Sequence, residues 1–279
     1  MSATPNETAA APAPENVAPG DAIVTARGIR VVYDGRAVLD GIDLDVRKGE
    51  IFVIVGASGC GKSTLLRCLV GLEKPASGRV LVKGADVSAM DDEAYDRFVT
   101  GIGMLFQSGA LFNSMTVGEN VALPLREHTD LGEDQIASIV RLKLSLVGLA
   151  HTVEKLPSEL SGGMRKRAAI ARAIALDPEI VFFDELSAGL DPITASDLDE
   201  LVLRIKASLG VTMVVVSHEL TSIKTIADRI AMIANGKVVA CGTAAELVAA
   251  TGEHQALVRR FLGRAPERKP SWIDSHTAP

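Results

Sequence analysis

Three almost unbroken apolar runs punctuate the chain, Ile51–Val55, Ile180–Phe183 and Val211–Val216. Short runs rich in Val, Ile and Phe, without polar alternation, are the pattern of strands buried on both faces. Helical stretches lie between them: one opens at Lys62 after a glycine-rich turn, one spans Ser161–Leu176 and one runs from about Thr194 to Leu209. Strands that alternate with helices predict an α/β fold built on a parallel sheet. Ile23–Val32 and Ile42–Val46 read as further short strands. Between about 84 and 156 strand signals thin out: Asp91, Asp92 and Glu93 open one candidate helix and Glu133–Leu149 forms a second. This stretch predicts a helical subdomain, about 84–176, inserted in the α/β core.

Residues 1–20, mostly Ala, Pro, Asn and Glu without periodicity, are expected to be a disordered tail, leaving a domain over 21–251. From 252 to 279 the chain is polar and basic (Arg259, Arg260, Arg264, Arg268, Lys269), an extension expected to lie outside the core. At 279 residues there is room for one large α/β domain with an attached subdomain. No apolar run approaches the roughly 20 residues that span a bilayer. No apolar run of about 7 to 15 residues precedes the first basic residue, Arg27, so no signal peptide is expected and the chain is placed in the cytoplasm. A net charge of -6 argues against a nucleic-acid partner, whose phosphates require a basic surface. Cys60, Cys68 and Cys241 are odd in number and lack C-x-x-C spacing, which predicts neither a disulfide framework nor a zinc site.

The densest chemistry is Gly56-Ala57-Ser58-Gly59-Cys60-Gly61-Lys62-Ser63, which fits G-x-x-x-x-G-K-[ST] between a buried strand and a helix. Glycines let the backbone curl so that N–H groups converge on phosphate oxygens, aided by the positive helix N-terminus. Lys62 is expected to reach the β- and γ-phosphates of ATP and Ser63 to bind Mg²⁺. The expected nucleotide contacts are Gly56, Ser58, Gly59, Cys60, Gly61, Lys62, Ser63 and Thr64. Cys60 reads as a small residue within the loop, not a nucleophile.

Two other apolar runs end in polar residues. Ile180–Phe183 delivers Asp184 and Glu185, one carboxylate to hold Mg²⁺ and the next to polarise an attacking water. Val211–Val216 ends at Ser217-His218. A single histidine after a strand is usually structural, but in open parallel sheets ligands bind at the carboxyl ends of the strands, where these residues converge with Lys62.

Leu160-Ser161-Gly162-Gly163-Met164 opens a helix whose next turn is Arg165-Lys166-Arg167. Ser161 can cap that helix, and the two glycines leave backbone N–H groups open to a phosphate. With this segment the chain resembles the ATPase subunits of ABC transporters, over about Asp21 to Leu247. The resemblance implies a P-loop ABC cassette with a mostly parallel core sheet, an N-terminal antiparallel β part and the inserted helical subdomain. It implies that Tyr33 stacks on adenine and that Gln107 senses the γ-phosphate and Mg²⁺. It makes Glu185 the general base and His218 the switch histidine. Ser187–Asp191 form a loop at the dimer interface, with Asp191 near nucleotide; Asp191-Pro192 also fits a plain turn before a helix. Met164 stands where the family usually has glutamine and Leu186 where proline is common; neither departure removes a phosphate ligand. The resemblance also implies a homodimer, each copy completing the other's ATP site with Ser161, Gly162 and Gly163.

The segment from Ser108 to Arg126, including Leu111, Phe112 and Met115, is similar to the ATPases of bacterial systems that maintain outer-membrane lipid asymmetry, and of their toluene-tolerance and Mce-associated relatives. That implies a phospholipid or related substrate and an integral-membrane permease. It also implies a periplasmic lipid-binding subunit, a small STAS-type cytoplasmic subunit and a place on the cytoplasmic face of the inner membrane. The three apolar residues equally fit subdomain core. ABC ATPases for another solute, or for DNA repair or translation, are the rivals; the long coiled-coil insert and the second cassette of the non-transport types are not visible in this chain.

Overall fold

The computed structural model describes residues 22–250 and 255–263. The expected tail over 1–20 and the end of the basic extension lie outside the described residues. β1 (Ala22–Tyr33) and β2 (Arg36–Arg47) form an antiparallel hairpin that continues through β4 (Ser77–Val82) and β5 (Ala85–Asp86) in the order β2-β1-β4-β5. The second sheet runs β10-β9-β3-β8-β7-β6 and holds β3 (Ile51–Gly56), β6 (Ile102–Leu105), β7 (Ile180–Asp184), β8 (Thr212–Val216), β9 (Arg229–Ala234) and β10 (Lys237–Gly242). Neighbours from β9 to β6 are parallel and β10 is an antiparallel edge.

The unbroken hydrophobicity of the central strands has a direct cause. Ile51, Val53 and Val55 face one core together with Val181, Phe183, Met213 and Val215, whereas Phe52 and Ile54 face a second core with Ile180, Phe182, Val214 and Val216. Because successive side chains point to opposite faces, both registers must be apolar. The first core is closed by α3 (Val117–His128), α4 (Glu133–Leu146), α5 (Gly162–Ala173) and α6 (Pro192–Leu209), and the second by the antiparallel sheet and α1 (Lys62–Leu69).

Several boundaries differ from expectation. The 84–176 stretch is not wholly helical, because β6 lies within it and pairs with β7 as the edge of the central sheet. After α2 (Asp92–Val99), capped by the Asp91 side chain, the chain makes this short strand before entering the helices. The sequence reading also overlooked α3, which carries Pro124 in its interior yet has a capping box from Thr116 and Glu119. α4 stops at Leu146, where Leu149 N donates back to Leu144 O at 2.7 Å. The extension after 252 does not lie wholly outside the core: α9 (Gln255–Leu262) packs on α8 (Ala244–Ala249), and Val258 is buried in the same core as Leu247.

Candidate nucleotide and catalytic site

β3 delivers the chain to a loop over 56–61 that closes on the start of α1. At Gly56 (φ 155°) a Cβ would sit 2.3 Å from Ile233 O and 2.6 Å from Cys60 Sγ, so only glycine lets the loop lie on β9. α1 begins without a side-chain cap, leaving its first-turn N–H groups open to an anion. Lys62 is 6 % exposed, and its Nζ donates to Gly56 O and Ala57 O, both at 3.0 Å. The ammonium therefore lies against the loop's own carbonyls, at the place where phosphate oxygens would compete for it. A cleft of about 840 Å³ between Arg36–Val38, Ser58–Cys60 and Met232–Gly236 adjoins this loop; Lys62, Asp184 and Glu185 do not line it.

The ends of β7 and β8 stand opposite. Ser63 Oγ donates to Asp184 Oδ1 at 3.0 Å, joining the phosphate loop to the strand end. Glu185 Oε2 accepts from Gln107 Nε2 at 2.8 Å, and its Oε1 is 3.3 Å from His218 Nδ1. Glu185 adopts φ 53°, a left-handed conformation that costs a non-glycine residue on the order of 1–3 kcal/mol. Its N–H is tied to Val216 O at 3.0 Å, so pairing of β7 with β8 helps to hold the strained residue.

A carboxylate can only accept hydrogen bonds, so Gln107 turns its amide nitrogen to Glu185 and keeps its oxygen for another partner. Ser63 and Asp184 are hard oxygen donors of the kind Mg²⁺ prefers. No group of three or more His, Cys, Asp or Glu side chains suited to a metal occurs among the described residues. The residues therefore fit Mg²⁺ held jointly with nucleotide phosphates and water, the usual arrangement for that ion, and not a cage made by protein alone.

Tyr33, at the end of β1, is 41 % exposed. Burial, then the negative charge of Glu73, raises its phenol pKa, and a hydrogen bond with Thr64 opposes them. The tyrosine thus lies beside the first turn of α1.

The glycine-rich turn at 161–163 sits apart from this cluster. Ser161 caps α5, its Oγ accepting from Met164 N at 3.2 Å. A Cβ on Gly163 would be 2.5 Å from Thr194 Cγ2, so the turn packs against the start of α6. There Asp191 is the N-cap, accepting from Ile193 N (3.1 Å) and Thr194 N (3.0 Å) with one oxygen and from Thr194 Oγ1 (2.6 Å) with the other. These bonds, led by the Thr194 hydroxyl, lower its pKa. Among the described residues Asp191 acts as the helix cap of the plain-turn reading, and Ser161, Gly162 and Gly163 make no hydrogen bond to the Lys62 loop.

Three further residues shape the site and were not anticipated. Lys166 on α5, 7 % exposed, donates to Gln107 O at 2.5 Å and Glu185 O at 3.2 Å. Burial lowers its pKa against the opposing pull of Glu185 and Asp184. Arg172, one and a half turns on, donates to Ala110 O (2.6 Å) and Gly109 O (3.0 Å). Fully buried Asn120 accepts from Phe112 N and donates to the carbonyls of Phe112, Met115 and Thr116. Together these side chains hold the irregular loop over 107–116. One signal existed in the sequence: Arg165-Lys166-Arg167 stands near a helix N-terminus, where the macrodipole disfavours cations, so a partner elsewhere was to be sought.

The ABC transporter family model matches residues 39–188. The chain is 43% identical over 254 residues to the intermembrane phospholipid transport system ATP-binding protein MlaF of Escherichia coli K12, covering 89% of this chain and 93% of that protein. It is 45% identical over 222 residues to the Haemophilus influenzae protein of the same name, covering 80% and 82%. Among solved structures it resembles the ATP-binding cassette MJ0796, captured as a dimer in a post-hydrolysis state bound to ADP and Pi, with a TM-score of 0.73 and 28% identity over 79% of this chain and 98% of that one. A phosphate loop, a pair of strand-end carboxylates and a glycine-rich helix start on this shared fold give one conclusion: the chain belongs to the ABC transporter family, as an ATP-binding cassette.

Proposed function

We propose that the chain is the ATP-hydrolysing subunit of a transporter that moves phospholipid between inner and outer membranes, working as a pair on the cytoplasmic face beneath an integral-membrane permease. The observation that carries the catalytic part is the Glu185 carboxylate, held between Gln107 and His218 at the end of β7, beside Asp184 and Ser63. The names of the Escherichia coli and Haemophilus influenzae relatives support the phospholipid substrate. Among the described residues no helix is long and apolar enough to cross a membrane.

On this reading Lys62 exchanges the Gly56 and Ala57 carbonyls for the β- and γ-phosphates, while the open N–H groups of α1 bind phosphate oxygens. Glu185 takes the proton of the attacking water, and His218 and Gln107 keep its two oxygens in place. Ser63, Asp184 and the Gln107 oxygen would hold Mg²⁺, which would supply neutralisation of phosphate charge. Tyr33 stacks on adenine. Ser161, Gly162 and Gly163 of a second copy close over the γ-phosphate, and Asp191 keeps the neighbouring turn in register. Residues 21–251 form the cassette. A periplasmic lipid-binding subunit and a small STAS-type subunit complete the assembly.

Purification of the tagged full chain from detergent-solubilised membranes, followed by mass spectrometry of co-eluting proteins and extracted lipids, tests this. An integral-membrane protein with phospholipid is expected; a complex that carries a water-soluble solute and no lipid would contradict the substrate assignment.

A further inference from the structure

Lys166 is a buried cation whose hydrogen bonds all go to main-chain carbonyls, and those two carbonyls belong to Gln107 and Glu185. The side chains of the same two residues bond to each other at 2.8 Å. The contacts therefore close a ring: ammonium to Gln107 carbonyl, Gln107 amide to Glu185 carboxylate, Glu185 carbonyl back to the ammonium. Burial of an ammonium is unfavourable, and an apolar side chain would fill the same space without that cost. The hydrogen bonds offset it by fixing the backbone carbonyls of two residues that lie just beyond the ends of β6 and β7. Glu185 gains most, because its left-handed backbone is held by Val216 O at the N–H and by Lys166 at the carbonyl.

Lys166 lies five residues after Ser161 on the same helix, about 7.5 Å along its axis. The start of α5 is the part placed above against the second copy's nucleotide, while its second turn holds the chain's own Glu185. We infer that Lys166 is a positioning residue for hydrolysis, linking the glycine-rich start of α5 to the Gln107–Glu185 pair so that closure at one ATP site sets the carboxylate of the other. The inference rests on the role given to Glu185 in the proposed function.

In the full-length protein, Lys166→Met keeps the length and removes the donor. It is expected to slow single-turnover ATP hydrolysis by about 10- to 100-fold, the scale of a small misplacement of a reacting group, with ATP affinity and thermal midpoint unchanged. Lys166→Arg, which retains a charged donor, recovers most of the rate. A wild-type rate in Lys166→Met overturns the inference. So does a loss of ATP affinity or of the folded state in parallel with the rate, which would make Lys166 part of the frame only. Glu185→Gln measured alongside separates the two levels: full hydrolysis in that variant removes the role of Glu185 itself, whereas a slow Glu185→Gln beside a fast Lys166→Met rejects only the positioning role.

Discussion

Gln107 Nε2 donates to Glu185 Oε2 at 2.8 Å although the two residues are 78 positions apart in the chain. The bond joins the first residue of the 107–116 loop to the carboxylate at the end of β7. Arg172 and Asn120 fasten the rest of that loop to α5 and α3, so hydrogen bonds connect the helical part with the Glu185 carboxylate.

The position of His218, 3.3 Å from Glu185 Oε1, predicts that His218→Ala lowers the hydrolysis rate by about 10²- to 10⁴-fold and leaves ATP binding intact. Rapid-quench kinetics beside equilibrium nucleotide binding separates the two quantities. A parallel loss of affinity would place His218 in binding instead.

Lys62→Ala should act on affinity. Hydrogen bonds to charged groups contribute about 1.5–3 kcal/mol, so ATP binding should weaken by roughly 10- to 150-fold in a calorimetric titration, with little change in the unfolding midpoint. Its bonds to Gly56 O and Ala57 O are local and can be replaced by water once the side chain is gone.

Asn120 predicts a stability effect away from the phosphates. Its fully buried amide serves four backbone groups, so Asn120→Ala leaves several of them without partners and should cost on the order of 2–4 kcal/mol in chemical denaturation.

Asp199 on α6 gives a pH dependence. It is 3 % exposed and its Oδ1 has no partner; burial raises its pKa to about 6, with Glu219 adding to the rise and a hydrogen bond from Ser222 opposing it. A folded pKa above the unfolded value means the folded protein binds the extra proton. This stabilisation is complete below pH of about 4 and is lost as pH rises through 6. Asp199→Asn should therefore raise the thermal midpoint at pH 8 and flatten the change between about pH 4 and 6.

Much of this site was legible in the sequence because its signals are local. The spacing of Gly56, Gly61 and Lys62, and the apolar runs ending at Asp184 and before His218, carry chemistry in consecutive residues. What stayed hidden depends on partners without a residue-type signature. Lys166, Arg172 and Asn120 all bind main-chain carbonyls, and any residue supplies those. β6 is four residues long with Gly103 inside it, too short for an alternation to register, and Pro124 masked α3 behind a helix-breaking residue. Val258, buried in the core, was hidden because a basic stretch surrounds it.

In the proposed function ATP is enclosed between the Lys62 loop of one copy and the Ser161 turn of another. The most direct test of this enclosure is the mass, by light scattering, of full-length Glu185→Gln protein with ATP and Mg²⁺, alone and combined with Ser161→Glu. Glutamate at the exposed start of α5 is compatible with the helix dipole but places negative charge against the γ-phosphate. A two-chain species is expected with ATP, none with ADP, and a single chain when Ser161→Glu is added. An unchanged dimer in the double variant, or one equally stable without ATP, would contradict it.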